Sequence, residues 1–395
     1  MKVICLQENL AKALNTVSRS VASRPQLPVL LNILLSTDEG RLKLSATNLE
    51  TGVHNWVGAK IEKEGSFTVP ARVFLEFVSS LPKDKVEISL EEQQLIVKSG
   101  GVEATFNGIS SSEFPPLPSF PVETQLIFDS TSFSSAISKV FYAAATDEGR
   151  PILTGVLLRF LKNELSFAAT DGFRLSLVKI ANPAGGKSTS NKKTDDKDKE
   201  GETKIILSAR TLLEVIRMVE ENKEEKTGPS KNASDKNGLL FSLLPSGNQA
   251  MFSFSSTQII TQLIGGDFPA YEKIIPTSVT TSLIITQEEL LKAVKIASIF
   301  ARESANIIRF KIEEGKLTIS ANTPQVGTNK TTLGVKTEGE GGEIAFNSRY
   351  LLEFLNSTDS EEIVFEMTGG LNPGVFKPKN DPTYIHIIMP VRVQS

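Results

Sequence analysis

One helix-and-strand pattern occurs three times along this 395-residue chain, and it constrains the fold more than any single motif. Leu10, Ala13, Leu14 and Val17 follow the i, i+3, i+4, i+7 spacing of one apolar helix face. Phe133, Ala136, Ile137 and Val140 repeat it, and so do Leu290, Ala293, Val294 and Ala297. Strand-like text follows each stripe, with alternating apolar positions at Leu42, Leu44, Ala46, then Leu165, Phe167, Ala169, then Leu317, Ile319, Ala321. Turns are predicted at Asp38-Glu39-Gly40 and Glu313-Glu314-Gly315. A second helix then reads ARVFLEFV over 71–78, ARTLLEVI over 209–216 and SRYLLEFL over 348–355. These superpose without a gap, with Arg72, Arg210 and Arg349 in one column and Glu76, Glu214 and Glu353 in another. Pro70, Ser208 and Asn347 stand at the helix entries, Ser208 as a plausible N-cap.

Spacing between the columns locates two insertions. From the Ala column to the Arg column is 26 residues in the first copy (46 to 72), 28 in the third (321 to 349) and 41 in the second (169 to 210). The excess falls on a Gly/Ser/Lys/Asp stretch near 184–203. A Phe-Pro closes the first two copies, at Phe114-Pro115 and Phe268-Pro269, and places a second excess on ENKEEKTGPSKNASDKN, 221–237. Both stretches are charge-rich and apolar-poor, so both are expected to be surface loops. Each copy reads as helix, strands, helix, strands, whose apolar faces cover one another. Three α+β domains are expected, over 1–122, 123–278 and 279–395.

Several function classes find little support. No run of about 18 apolar residues is present, so no membrane helix is expected. The opening MKVICLQENLAKAL lacks the features of a signal peptide. With Cys5 the only cysteine, no disulfide forms within the chain, and a reducing, cytoplasmic setting fits. The two histidines, His54 and His386, lie at no metal-ligand spacing and do not suit a triad. Gly185-Gly186-Lys187-Ser188 resembles the tail of a phosphate loop, but the motif's first glycine would fall at Ala181 and no helix pattern follows. No catalytic residue, cofactor or metal is expected. A net charge of −3 permits a local basic surface without coating the molecule in one.

Further landmarks are RPQLPVL (24–30), VPAR (69–72), the EFP and DFP closings, ATDGFRL (169–175), FARESANIIRF (300–310) and YIHIIMPVRV (384–393). With these in this order, the chain resembles the β subunit family of bacterial DNA polymerase III, the sliding clamps, over nearly its whole length. The resemblance implies three repeats of the DNA-clamp fold, with helices lining a ring and antiparallel sheets outside. It implies closure by a head-to-tail homodimer, and partners that include double-stranded DNA, the polymerase III α subunit, the clamp loader and other proteins carrying clamp-binding motifs.

Site residues follow from the resemblance by position. On the helices, Lys12, Arg19, Lys292 and Lys295 are cationic candidates, and charge alone does not separate them from ordinary solvated residues. The resemblance favours Arg24, Arg72, Arg210 and Arg217 for DNA contact, with Lys139 and Arg150 following. A sliding protein neutralises phosphates without reading bases. Asp171-Gly172 on its own is a turn signal. The resemblance makes it one wall of a pocket for short linear peptides, comprising Leu153, Thr170, Gly172, Phe173, Arg174, Leu175, Pro269, Lys273, Ile274 and Arg349. The tail adds Ile387, Ile388, Met389, Pro390, Val391 and Arg392. Phe173 stands where the family commonly has His or Tyr, and Lys273 where Arg is frequent, which removes a bidentate donor. Phe106, Ile299 and Phe300 are expected at the subunit boundary. The expected function is a processivity factor that encircles duplex DNA and tethers the polymerase. The alternative is a triplicated peptide-binding scaffold that never meets DNA.

Overall fold

The computed structural model describes residues 1–23, 25–119, 126–182, 202–224, 238–245, 247–325 and 327–392. Six α-helices occur among the described residues: α1 Gln7–Ser18, α2 Ala71–Ser80, α3 Ser130–Ser138, α4 Ala209–Glu224, α5 Gln287–Ala301 and α6 Ser348–Asn356. All twelve residues of the three predicted first-helix stripes are buried, because each stripe faces a sheet. In the first hairpin, Glu39 and Gly40 have φ of +47° and +72°, the left-handed pair that a two-residue hairpin turn requires. Asn347 caps α6 by accepting a hydrogen bond from Arg349 N through its side chain.

The backbone forms two compact units, Met1–Ser130 with Glu214–Leu263, and Thr131–Leu213 with Ile264–Ser395. The first holds a five-stranded sheet and an eight-stranded sheet. The eight-stranded sheet joins the first copy to the second where Thr51–Val57 pairs antiparallel with Thr257–Gln262. The second unit holds a nine-stranded and a four-stranded sheet. Its nine-stranded sheet joins the second copy to the third where Arg174–Ala181 pairs with Tyr384–Ile388. These junctions leave fewer open sheet edges than separate copies would.

Both insertion boundaries shift. The stretch assigned to a loop from 221 begins as helix, because α4 continues to Glu224 and Glu221 pairs with Arg19. The stretch assigned to a loop up to 203 ends earlier. Thr203 opens a strand, and Glu202 pairs with Arg159 just ahead of it. The remaining parts, 184–201 and 225–237, lie outside the described residues.

Candidate functional site

The ATDGFRL segment folds into a tight turn closed by local hydrogen bonds. Thr170 Oγ1 donates to Arg174 O at 2.5 Å and accepts from Gly172 N at 3.0 Å. Asp171 Oδ1 accepts from Phe173 N and Arg174 N at 2.9 and 3.1 Å. Gly172 takes φ +93°, a conformation that favours glycine. The turn leaves Phe173 at its tip, 58% exposed. Met389 N donates to Phe173 O at 2.8 Å, so the C-terminal tail is tied to the turn, and the partly exposed Met389 stands beside it.

Leu175 and Ile387 are cross-strand partners beneath this rim, both buried. They belong to an apolar cluster with Leu177, Tyr271 and Val375, against which Ile152, Phe268 and Ile274 pack. The segment Phe268–Ile275 therefore lies over this sheet face, and Lys273 and Pro269 are exposed on it. Leu153 is half-buried, Pro390 and Val391 are half-buried, and Arg349 and Arg392 are exposed. Val391 N donates to Ala345 O, which anchors the tail three residues ahead of α6.

Two predicted pocket residues point elsewhere. Strand residues alternate between faces, so Arg174 and Ile388, which pair with each other, lie on the side opposite Leu175 and Ile387. Ile388 is wholly buried there. Arg174 is 8% exposed, and its guanidinium is engaged by Asp171, Glu353 and the carbonyl of Tyr142. It also stacks 4.5 Å over the Tyr350 ring. Arg174 is thus a brace behind the turn. The sequence reading missed Tyr142, Tyr350 and Glu353 as its partners; only the repeated glutamate column marked Glu353.

The cationic candidates divide in the same way. Arg72 is highly exposed and, among the described residues, pairs with Glu76 on its own helix, at 3.2 Å. Arg217 is half exposed beside Glu214, and Arg210 is exposed. Lys139 was expected to face DNA, but it makes a 2.7 Å ion pair with Asp381 and lies 5.6 Å from the Tyr384 ring centre. Burial opposes the charge on Asp381, yet the bond from Lys139 holds its carboxyl below the ordinary carboxylate range. Arg19 likewise pairs with Glu214 and Glu221, and Lys292 with Glu288. Arg150 is exposed, and its Nη1 stands 3.3 Å from where a Cβ on Gly172 would be, which places it beside the peptide turn. Arg24 lies outside the described residues.

Of the predicted boundary residues, Ile299 is 56% exposed and Phe300 half-buried at the end of α5. Phe106 is buried in its own unit, edge-on to Phe74 and Phe77 with ring centres 5.2 and 5.3 Å apart. Its strand, Val102–Asn107, is the edge of the five-stranded sheet.

A serine stands next to each histidine. Ser45 Oγ lies 2.8 Å from His54 Nδ1, and Ser176 Oγ 2.6 Å from His386 Nδ1. Both pairs are sealed from solvent. Burial lowers the His54 pKa to about 3 and holds His386 well below its ordinary value, so both rings are neutral. No substrate reaches either serine, and the pairs are cross-strand packing contacts rather than nucleophile and base.

Three family models match the chain in order: the DNA polymerase III beta subunit N-terminal domain over residues 1–118, its central domain over 128–270 and its C-terminal domain over 272–392. The chain is 29% identical to the beta sliding clamp of Synechococcus elongatus over the full length of both. It is 26% identical to that of Bacillus subtilis, with 99% of this chain and 100% of the relative covered. Among solved structures, the DNA polymerase sliding clamp of Bacillus subtilis superposes with a TM-score of 0.87 at 25% identity, with both chains fully covered. The DNA polymerase III beta subunit of Thermotoga maritima gives 0.85 at 26%, also with full coverage.

Proposed function

The chain belongs to the DNA polymerase III beta subunit family, and on that premise we propose that it is a sliding clamp, a non-catalytic ring that holds the replicative polymerase on duplex DNA. The observation that carries this is the ordered match of all three domain models, in a chain whose helix and strand pattern itself recurs three times. Two copies, head to tail, close a ring of six repeats. We take the domains as 1–122, 123–278 and 279–395, and place the protein in the cytoplasm.

Arg72, Arg210 and Arg217 are our DNA-facing residues, with Arg24. Exposure supports this assignment for the three described arginines; Arg72 pairs with the exposed Glu76 at 3.2 Å, while Arg217 is 53% exposed although it pairs at 2.6 Å with the more buried Glu214. The peptide pocket is rimmed by Phe173, Met389, Arg150 and Lys273 over a floor of Leu175, Ile387 and Ile274. A flexible methionine beside apolar side chains suits partners of varied sequence. Tethering makes rebinding of the polymerase effectively intramolecular.

The deciding experiment uses nicked circular DNA. Protein placed on the circle by a clamp loader is expected to stay bound at salt concentrations that strip phosphate contacts, because the link is topological. Cutting the circle should release it. Retention that ignores cutting would leave only the peptide-scaffold reading.

Ring closure makes a separate prediction. Phe300→Ala removes apolar area from each of two interfaces. At about 1 kcal/mol per interface, the dimer should weaken by roughly thirtyfold. Sedimentation across a dilution series reads this directly, and an unchanged midpoint would remove Phe300 from the boundary.

A further inference from the structure

The first unit contains a cavity of about 190 Å³ between α1, the end of α4 and the strands Thr51–Val57 and Thr257–Gln262. Its lining includes Asn9, Lys12, Thr16, Asn55, Thr257 and Glu221. Liquid water occupies about 30 Å³ per molecule, so the space equals roughly six waters, or one six-membered ring with a substituent.

The second unit shows what fills this place in the fold. The turn Thr47–Thr51 repeats the bonds of Thr170–Arg174. Thr47 Oγ1 donates to Thr51 O and accepts from Leu49 N, and Asn48 Oδ1 accepts from Glu50 N and Thr51 N. Gln262 N donates to Glu50 O, as Met389 N does to Phe173 O. Thr51 therefore corresponds to Arg174. Four residues on, Asn55 pairs with Thr257, whereas Val178 pairs with Tyr384. Thr257 thus occupies the position of Tyr384, a wholly buried residue whose hydroxyl bonds Tyr142 and Ser357 at 2.7 and 2.8 Å. On the helix side, Thr16 and Lys139 both immediately precede the stripe's last apolar residue, Val17 or Val140. The first unit thus has two threonines where the second has a lysine and a phenol ring.

The carboxylate on the cavity wall is already matched. Both carboxylate oxygens of Glu221 accept from Arg19, and Thr16 donates to one of them. Lys12 Nζ donates to the Glu221 carbonyl at 3.2 Å. A cationic ligand would have to compete with Arg19 for Glu221, and an anionic one would face the Glu221 carboxylate on the same wall. An uncharged one need do neither: Thr16 donates to Glu221 and Asn55 Nδ2 donates to Thr257 Oγ1, and the two threonine oxygens keep a lone pair that a ligand hydroxyl can bond.

We infer that this cavity is a binding site for an uncharged six-membered ring bearing a hydroxyl, a phenol-class ligand that takes the place Tyr384 fills in the second unit. The inference does not depend on clamp function. Its probe is para-fluorophenol, followed by fluorine NMR on the full chain. Saturable broadening is expected with the parent and with Thr257→Ser, which keeps both the space and the hydroxyl. Thr257→Tyr supplies its own ring and should weaken binding at least tenfold. Thr16→Leu closes the cavity from α1 and serves if the tyrosine variant fails to fold. No saturable broadening in the parent, or equal broadening in a folded variant with the cavity filled, overturns the inference.

Discussion

Arg174→Ala is expected to lower the stability of the chain by about 3–5 kcal/mol, the loss typical when one member of a buried charged network is removed. The guanidinium is 8% exposed and holds three separate pieces of the second unit. Asp171 lies in its own turn, Glu353 on α6, and the Tyr142 carbonyl just beyond α3. Without it, Asp171, itself largely buried, loses its counter-charge, and a hydrogen-bonded carbonyl is left unpaired. Arg174→Lys should recover little, because one ammonium cannot span three acceptors held by a planar fork. Glu353→Gln should lose less, since that carboxylate is 40% exposed. Urea unfolding reads all three as shifts in midpoint at constant slope. A midpoint for Arg174→Ala within about 0.5 kcal/mol of the parent, the range of ordinary surface changes, would show that the brace carries no load. The turn that Arg174 supports also carries Phe173 and the tie to Met389, so peptide capture should fall with it.

Much of this site could be read from the chain, in places more than its landmarks suggested. The helix stripes are all buried because a 3.6-residue period admits one buried face, although the second runs past the end of α3 at Ser138 to Val140. Strand parity was also available. Once Leu175 and Ile387 are taken as pocket floor, Arg174 and Ile388 must face away, and membership of a pocket landmark does not alter that geometry. Other features were not legible. The first turn beyond 221 reads as polar loop text, yet it is helix, and Glu221 meets Arg19 across 202 residues of sequence. Lys139 and Asp381 are 242 residues apart, so nothing local marks that lysine as engaged. The threefold repeat also differs from the two compact units. A copy is defined by descent along the chain, whereas a unit is defined by the sheets that join the second half of one copy to the first half of another.

The two histidines give the second large effect, a loss of stability in mild acid. In the folded chain both rings are neutral. His54 is lowered to about 3 by burial, with Lys43 adding to it and Asp38 opposing, and His386 is held well below its ordinary value by burial and by Arg174. Nδ1 of each faces a serine hydroxyl, while Nε2 of each has no hydrogen-bond partner among the described residues, so a second proton would find no acceptor there. Unfolding returns both to water, where the pKa is about 6.5. Below that value the unfolded chain binds protons that the folded chain refuses, so stability is full above about 6.5 and falls as pH drops. For His54 each unit of pH below 6.5 removes about 1.4 kcal/mol, or roughly 3 kcal/mol by pH 4.5, and His386 adds a loss of the same sign. Carboxylates such as Asp381 titrate lower and add their own loss there. The histidine share is isolated by comparing the parent with the His54→Gln, His386→Gln double variant between pH 7 and 5. The variant should be less stable at neutral pH, because glutamine brings more unmet polar groups into each site, and its stability should then decline far less steeply. Parallel slopes would mean that the rings accept protons within the fold, and that the serine pairs leave room for a charged imidazole.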